Sequence, residues 1–254
     1  MIAELDIQTE IKLGKTILVK GFFSPPFKLA NITEDKLGKD LHLMLMSSSP
    51  GILSGDQYNI KINIGENSNL NLQTQSYSRI FTMAGNAVQN MEVNVNKNAR
   101  FCYLPHPVVP HENADFAATN KIYLTNTSQL IWGEILTCGR KLNGEIFKFK
   151  KLQNITSIYL NNKLIIKENL LIQPQKINLN AIGQLEGFTH QASLFIIQPD
   201  NNADKIQLIT HKLKSEKDII FGITTQSNNV ILIRILGNRA EQLHSLLKAI
   251  VQII

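Results

Sequence analysis

The stretch "INIGENSNLNL", Ile62 to Leu72, decides the fold, because its layout returns twice further along the chain. It returns as "VNVNKNARFCY" (Val93 to Tyr103) and as "IYLTNTSQLIW" (Ile122 to Trp132). Each copy has a short alternating strand, a polar turn and a second alternating strand, at a spacing of about 30 residues. One unit alone would leave an apolar face in water, so the pattern predicts stacked layers that share a core. A sandwich of ordinary hairpins is the alternative.

Strands are predicted along the first two-thirds of the chain, where apolar and polar residues alternate. The alternating runs are bounded by Gly, Asn, Pro or Ser, as strands usually are. The runs are "LDIQTEI", "TILVKGFF", "LHLMLM", "YNIKINI" and "NLNLQTQ", continued by "EIFKFKK", "NITSIYL" and "KLIIKENLLI". "NNK" at Asn161 predicts a tight turn. The sequence therefore predicts an all-β, or mainly β, protein.

The character of the sequence changes near its C-terminal end. "ADKIQLITHKL" (Ala203 to Leu213) has mixed spacing and is predicted to be a helix, and "IIFGITTQ" and "VILIRIL" are predicted strands. An amphipathic helix is predicted last, from the spacing of Leu243, Leu246, Leu247, Ile250, Val251 and Ile254. Asn238 followed by Glu241 resembles a capping box at its start.

Composition excludes several classes of protein. The chain has 254 residues and a formal charge of +6, but its Lys and Arg are scattered, so a nucleic-acid partner is not indicated. The start "MIAELDIQTE" lacks the order of a signal peptide, and no apolar run approaches the roughly 18 residues of a membrane span. Cys102 and Cys138 lie far apart, which favours free thiols. We expect a protein of the reducing cytoplasm.

No catalytic motif is complete. "LGKT" at Leu13 lacks the glycine and the helix of a phosphate loop, and "HENAD" at His111 lacks the second His of a zinc protease. His42, His190, His211 and His244 are isolated in the sequence and are predicted to be structural. Nothing in the sequence identifies a reaction.

One segment, "FCYLPHPVVPH", offers candidate metal ligands. Cys102, His106 and His111 are soft or borderline ligands that suit nickel, copper or zinc. No tight pair spacing fixes a closed site, however, and a thiol and two histidines packed on a proline-rigid turn are the structural alternative.

An ordered series of motifs resembles the family of urease accessory proteins UreD, also called UreH. The series is "SSSPGILSGD", "LQTQSYSRIF", "FCYLPHPVVPHENADF" and "WGEILTCGRKLNGEIF". The family pattern runs roughly P-G-G-x-x-G-G-D, T-T-Q-x-x-T-K, W-L-P-Q-P and E-I-x-x-x-G-R-x-x-G-E. Matching positions are Pro50, Gly51, Gly55, Asp56, Thr74, Gln75, Pro105, Glu134, Gly139, Arg140, Gly144 and Glu145; departures are Ile52, Ser54, Gln73, Tyr103 and His106.

The resemblance implies a β-helix-like stack of short strand layers with a few helices. It implies a single domain, with a β-helical body over about 1–200 and a helix–strand–strand–helix part over about 201–254. Such a protein is not an enzyme and holds no permanent cofactor. It binds UreF and, through UreF, the GTPase UreG, as a dimer of heterotrimers. It docks on apo-urease, and nickel in transit passes through an internal tunnel.

The residues themselves suggest how a tunnel would work. Spaced carboxylates and amides ease the passage of a divalent cation without trapping it, whereas a closed set of strong ligands would hold it. Asp56 and Glu134 are the chief candidate acids, with Gln75 as a candidate amide. A structural ion pair between Glu134 and Arg140 is the alternative, and Glu145 is open to the same two interpretations.

The bend "SSSPGILSGD" is predicted to be a corner between β layers. Pro50 fixes its approach, while Gly51 and Gly55 permit dihedrals that other residues resist. Two functions compete with the scaffold hypothesis. One is a β-helix hydrolase of polysaccharides that uses Asp56 and Glu134 as paired acids. The other is a purely structural β-solenoid.

Overall fold

Strands dominate residues 1–199, 203–226 and 229–254, which are the residues described by the structure, a computed structural model. The strands are β1 (Ile2–Lys12), β2 (Lys15–Phe23), β3 (Phe27–Asn31), β4 (Leu41–Ser47), β5 (Gln57–Ile64), β6 (Asn69–Thr74), β7 (Ser78–Ile80), β8 (Ala87–Val95), β9 (Arg100–Leu104), β10 (Val108–Pro110), β11 (Asp115–Leu124), β12 (Gln129–Thr137), β13 (Lys151–Leu160), β14 (Lys163–Ile172), β15 (His190–Ile197), β16 (Ile219–Gln226) and β17 (Val230–Gly237). The helices are α1 (Ala203–Lys214) and α2 (Ala240–Gln252), with a 3₁₀ turn at Lys141–Asn143. The predicted mainly β class, with a C-terminal helix, is confirmed.

Two sheets face each other, and the chain passes back and forth between them. One sheet has seven strands in the order β14-β13-β11-β8-β5-β1-β2; the other has ten, with a main path β16-β17-β15-β12-β9-β6-β4-β3 and β7 and β10 beside it. From β4 to β6, and again from β8 to β9 and from β11 to β13, successive strands alternate between the sheets. We call them the seven-stranded and the ten-stranded sheet.

Parallel pairing shows that the repeat forms stacked layers. Ile62 pairs with Val93, and Val93 pairs with Ile122, in the seven-stranded sheet. The second halves of the copies stack in the ten-stranded sheet, where Tyr103 lies between Leu72 and Trp132. The stack of strand layers is confirmed, and the alternative of ordinary hairpins is wrong for this part of the chain, because hairpin strands would pair antiparallel.

Among the described residues, hydrophobic side chains form two clusters, one on each side of the ten-stranded sheet. The larger lies between the sheets and includes Ile62, Phe101 and Trp132. The smaller packs α1 and α2 on the outer face, where Cys102 and Ile131 point. The alternation of β9 and β12 explains this division, because successive side chains point to opposite faces of a sheet.

Some local predictions are right and others are wrong. The tight turn is confirmed, since Asn161 and Asn162 both adopt positive φ, at 48° and 64°. The strand predicted at "EIFKFKK" is wrong: Glu145 to Lys150 is irregular, and β13 begins only at Lys151. The capping box is also wrong, because Arg239 precedes α2 without a side-chain cap.

The side chain of Asn238 bonds a residue outside the helix. Asn238 Oδ1 accepts hydrogen bonds from the backbone N–H and the hydroxyl of Thr189, at 3.2 and 2.9 Å. This amide therefore joins the start of α2 to the start of β15 instead of capping the helix.

The C-terminal elements follow the expected order of α1, β16, β17 and α2. β17 pairs antiparallel with β15, so these strands extend the ten-stranded sheet. The boundary expected near residue 200 stays a prediction, because residues 200–202 lie outside the described part. Neither described helix has the length and apolar character needed to span a bilayer.

Candidate functional site

The space between the sheets contains a polar layer among apolar ones. The paired positions Ile62, Val93 and Ile122 form an apolar layer. Two residues earlier on β11 is Asn120, which pairs with Thr156 of β13, and both side chains are buried. Buried amides and hydroxyls need hydrogen-bond partners, so this layer of the core is a hydrogen-bonded polar network.

Two neighbouring cavities lie beside this polar layer. The smaller has a volume of about 120 Å³ and the larger about 310 Å³. Ile52, Ser78, Gln89 and Tyr103 lie on the walls of both. A single water needs only roughly 10–15 Å³ in the same measure, so each cavity has room for several waters.

Glu134 places a carboxylate on the wall of the smaller cavity. Its Oε1 accepts hydrogen bonds from Trp132 Nε1 at 2.7 Å and from the Thr156 hydroxyl at 2.6 Å. Asn120 supports the arrangement by donating to Thr156 Oγ1 at 3.0 Å. Burial raises the pKa of Glu134, and the hydrogen bonds from Thr156, Trp132 and Asn154 oppose that rise. These hydrogen bonds hold the side chain in place.

Residues of the four motifs that resemble the family pattern line both cavities. Pro50, Gly51, Thr74 and Gln75 line the larger cavity, and Pro105, His106 and Glu134 line the smaller. Three departures from the family pattern are wall residues too: Ile52, Tyr103 and His106. The cavity lining of this chain therefore differs from the family pattern at those three positions, while Gln73 lies on β6 and Ser54 accepts a hydrogen bond from Gly85 N.

Asp56 lies on the wall of neither cavity. Its Oδ2 accepts the backbone N–H of Leu53 at 2.8 Å, and its Oδ1 is 3.2 Å from the α-amino nitrogen of Met1. It closes the bend between β4 in one sheet and β5 in the other, where Gly55 has φ of +80°. The predicted corner is confirmed, but the dihedral explanation is wrong for Gly51, which has no positive φ; there a Cβ would lie 2.5 Å from the carbonyl oxygen of Arg79. Asp56 and Glu134 do not share a cavity.

Arg140 pairs with Glu145 and not with Glu134. Arg140 Nε donates to Glu145 Oε2 at 2.8 Å, and Nη2 contacts Oε1. The Arg140 hydrogen bond lowers the pKa of Glu145. The predicted Glu134–Arg140 pair is therefore wrong.

Two glycines shape the loop that carries this pair. Gly139 has φ of +116°, and a Cβ there would lie 2.8 Å from the carbonyl oxygens of Pro110 and Glu145. Gly144 ends the 3₁₀ turn in the left-handed conformation, at φ of 76°. The Gly139–Glu145 loop therefore has a structural explanation, and none of these residues lines either cavity.

The three candidate metal ligands do not meet. Cys102 packs in the cluster under the helices, where burial raises its pKa to about 11. His111 packs against Phe81, with ring centres 4.6 Å apart, and His106 lies at the smaller cavity. Within the described residues, no three His, Cys, Asp or Glu side chains lie close enough to share a metal ion.

Sequence reasoning missed several wall and network residues. Gln89, Asn120 and Asn154 line the smaller cavity, and their inward positions on β8, β11 and β13 follow the phase of the apolar residues. The sequence signal that could have identified these residues is a polar side chain at a position that points inward, like the apolar residues of the same strand. His244, which is isolated in the sequence and was predicted to be structural, packs against His106 with ring centres 4.5 Å apart.

Comparison with known proteins points to one family. The sequence model of the UreD urease accessory protein matches residues 1–254. A urease accessory protein UreD of Flavobacterium johnsoniae is 45% identical over 252 residues, covering 98% of this chain and 91% of that protein. The UreD proteins of Actinobacillus pleuropneumoniae serotype 5b and Acetivibrio thermocellus are both 34% identical over 249 residues. These matches cover 95% and 98% of this chain, and 92% and 95% of the two relatives.

Proposed function

Because the chain belongs to the UreD urease accessory protein family, we propose that it is a scaffold that delivers nickel to urease. In this proposal it binds UreF and, through UreF, the GTPase UreG, in a dimer of heterotrimers that docks on apo-urease. It works in the cytoplasm, where Cys102 and Cys138 are free thiols. Its relatives are named accessory proteins, so it is not an enzyme.

The observation that carries the nickel proposal is the Glu134 carboxylate on the wall of the smaller cavity. A bare divalent ion in apolar surroundings would cost many kcal/mol, so a passage must be wet and must offer oxygen ligands. The cavity has amides from Gln89 and Asn154 and space for water. These features lower the cost of passage for a cation.

The same site is suited to release. The Trp132 and Thr156 hydrogen bonds both use Oε1 of Glu134, and within the described residues no three candidate ligands converge. A single carboxylate with water ligands binds nickel weakly, which a conduit requires. The two cavities with shared walls are the proposed nickel route.

The polysaccharide hydrolase fits the molecule less well. Paired acids in such enzymes must flank one glycosidic bond. Glu134 lies in an internal cavity, whereas Asp56 is bound to Leu53 N in a corner. The purely structural solenoid is tested by the experiment below.

The test is Glu134→Gln in cells that express apo-urease with all accessory proteins and are supplied with nickel. The amide keeps the shape but removes the charge, so urease activation should fall by about tenfold or more. Pull-down of UreF and the thermal unfolding of the variant should match the unchanged protein. Glu145→Gln is the matched control, because it removes a buried carboxylate outside both cavities. Activation per folded molecule should persist in the control.

Two results would contradict the proposal. A folded Glu134→Gln variant that binds UreF and activates urease normally would favour the purely structural solenoid. Failure of the unchanged protein to bind UreF would contradict the proposal that the protein is a scaffold.

A further inference from the structure

Two histidines that are far apart in the sequence meet beside the smaller cavity. His106 follows β9, and His244 lies on α2. Their ring centres are 4.5 Å apart, and the ring planes are inclined at 42°. We call them the histidine pair.

His244 carries an unexplained polar atom. The residue is only 5% exposed, and its Nε2 has no hydrogen-bond partner among the described residues. A buried nitrogen without a partner costs free energy, so its presence needs an explanation. A bound ligand would supply that partner.

His106 is held as a metal ligand would be held. Its Nδ1 is 3.0 Å from Thr74 Oγ1, and the same oxygen accepts the His106 backbone N–H at 2.8 Å. Thr74 Oγ1 can donate its own proton to Ser76 O at 3.4 Å, which lets Nδ1–H be the donor to Thr74. Metal-binding histidines commonly use one nitrogen in this way, so that the other presents its lone pair. That other nitrogen is Nε2.

The separation of the rings suits a shared ion. Two imidazoles that bind one ion at about 2.1 Å and at right angles have ring centres roughly 4.5 Å apart. The observed value of 4.5 Å agrees with this geometry.

The charges around the pair are mixed. Glu241 precedes His244 by three residues on α2 and accepts a hydrogen bond from the Tyr77 hydroxyl. Lys248, four residues after His244, opposes a positive charge on either ring. Burial is the largest cause that lowers the pKa of both histidines, so neutral imidazole, the form that binds metals, is favoured.

We propose that His106 and His244 form a two-imidazole site for a borderline divalent ion of the nickel, copper and zinc class. Two protein ligands with water in the remaining positions give a weak site that releases its ion. His106 also lines the cavity that contains Glu134, so the pair would pass the ion to that wall. The choice of nickel as the natural ion rests on the proposed function, whereas the site itself does not.

The test uses the full-length purified protein with one equivalent of Cu²⁺ as the probe. Electron paramagnetic resonance should show coupling to two imidazole nitrogens in the unchanged protein. His106→Gln and His244→Gln should each reduce the signal to one imidazole. Each change should also weaken Ni²⁺ binding, measured by competition with a coloured chelator, by about tenfold or more. His190→Gln is the matched control, because His190 is equally buried but bonds Thr189.

The outcomes separate the site from the proposed function. An unchanged two-imidazole signal in both folded variants, or its loss in His190→Gln, would overturn the site. If each pair variant loses the signal but activates urease fully, the site has no part in nickel delivery. Loss of the signal together with reduced activation supports both.

Discussion

Asp56 shows that an acid in a family motif can have a local structural role. Its side chain is 4% exposed, and Oδ2 accepts the Leu53 N–H at 2.8 Å. The Tyr58 hydroxyl lies 3.5 Å from the same oxygen. A charged acceptor strengthens such bonds, so Asp56 holds the bend between the two sheets.

Replacing Asp56 with Asn should therefore destabilise the fold. Asn keeps the size of the side chain but removes the charge, which should cost about 1.5–3 kcal/mol of unfolding free energy. Urea unfolding measures this loss. Asp35→Asn is the control, because Asp35 bonds the Leu37 N–H at 2.9 Å on the exposed surface and should change stability much less. An Asp56→Asn variant that is fully stable but fails to activate urease would instead place Asp56 on the nickel route.

His190 should make stability depend on pH. Burial and Lys141 lower its pKa from 6.5 to about 4. Between these values the unfolded chain binds more protons than the folded protein, so stability falls as the pH falls through this range. His190→Gln should lose less stability than the unchanged protein between about pH 7 and about pH 4.5. Urea unfolding at both values, with a baseline at about pH 8, measures the difference. Equal losses in the two proteins would contradict the lowered pKa.

Single residues also show the limit of prediction from sequence. Glu134 shares the phase of Trp132 on β12, so its inward direction could be predicted. Its partner Thr156 could not, because that contact joins strands in opposite sheets. The same holds for His106 and His244, which only the packing of α2 brings together.

At the scale of elements, alternation predicted many of the strands that pair on both sides, but not all of them. β5 has neighbours on both edges and was predicted, whereas β15, which also pairs on both edges, was missed because its residues are buried on both faces and do not alternate. The strand predicted at Glu145 does not form, because local interactions compete with strand pairing. Glu145 bonds Arg140, and Phe147 adopts φ of 53°. Alternation shows which side chains of a segment would face the core. It does not show whether a neighbouring strand is available to pair with that segment.

Helix α2 shows the same distinction between pattern and context. Its apolar face was predicted, and Leu243, Leu246, Leu247 and Ile250 are buried. Its N-terminal cap was predicted wrongly, because Asn238 bonds Thr189 at the neighbouring strand instead of capping the helix. Gly133 on β12 lies against this helix, since a Cβ there would be 3.3 Å from a methyl of Leu247. The close approach of β12 and α2 therefore depends on a residue without a side chain.

Between the same two sheets the molecule has apolar layers and one polar layer. Stacked apolar layers such as Ile62, Val93 and Ile122 hold the sheets together. The cavities occur where the same strands carry Gln89, Asn120 and Asn154. A stack of layers can have a polar layer in this way, because the neighbouring layers supply the hydrophobic stabilisation.

The junction of the two cavities supplies the last prediction. Ser78 lies on the walls of both, and its backbone N–H already bonds Pro107 O at 3.0 Å. In Ser78→Leu the larger apolar side chain should occupy the junction and displace water. An ion that loses its water and oxygen ligands there meets a barrier, so urease activation should fall by about tenfold or more.

Ser78→Ala separates blockage from loss of the hydroxyl, because alanine fills less space than serine. It should activate urease nearly as well as the unchanged protein. Thermal unfolding and pull-down of UreF should show that both variants fold and assemble. Full activation by a folded Ser78→Leu variant would mean that nickel does not cross between the two cavities, and the route would then have to leave the smaller cavity past Glu134 by another wall.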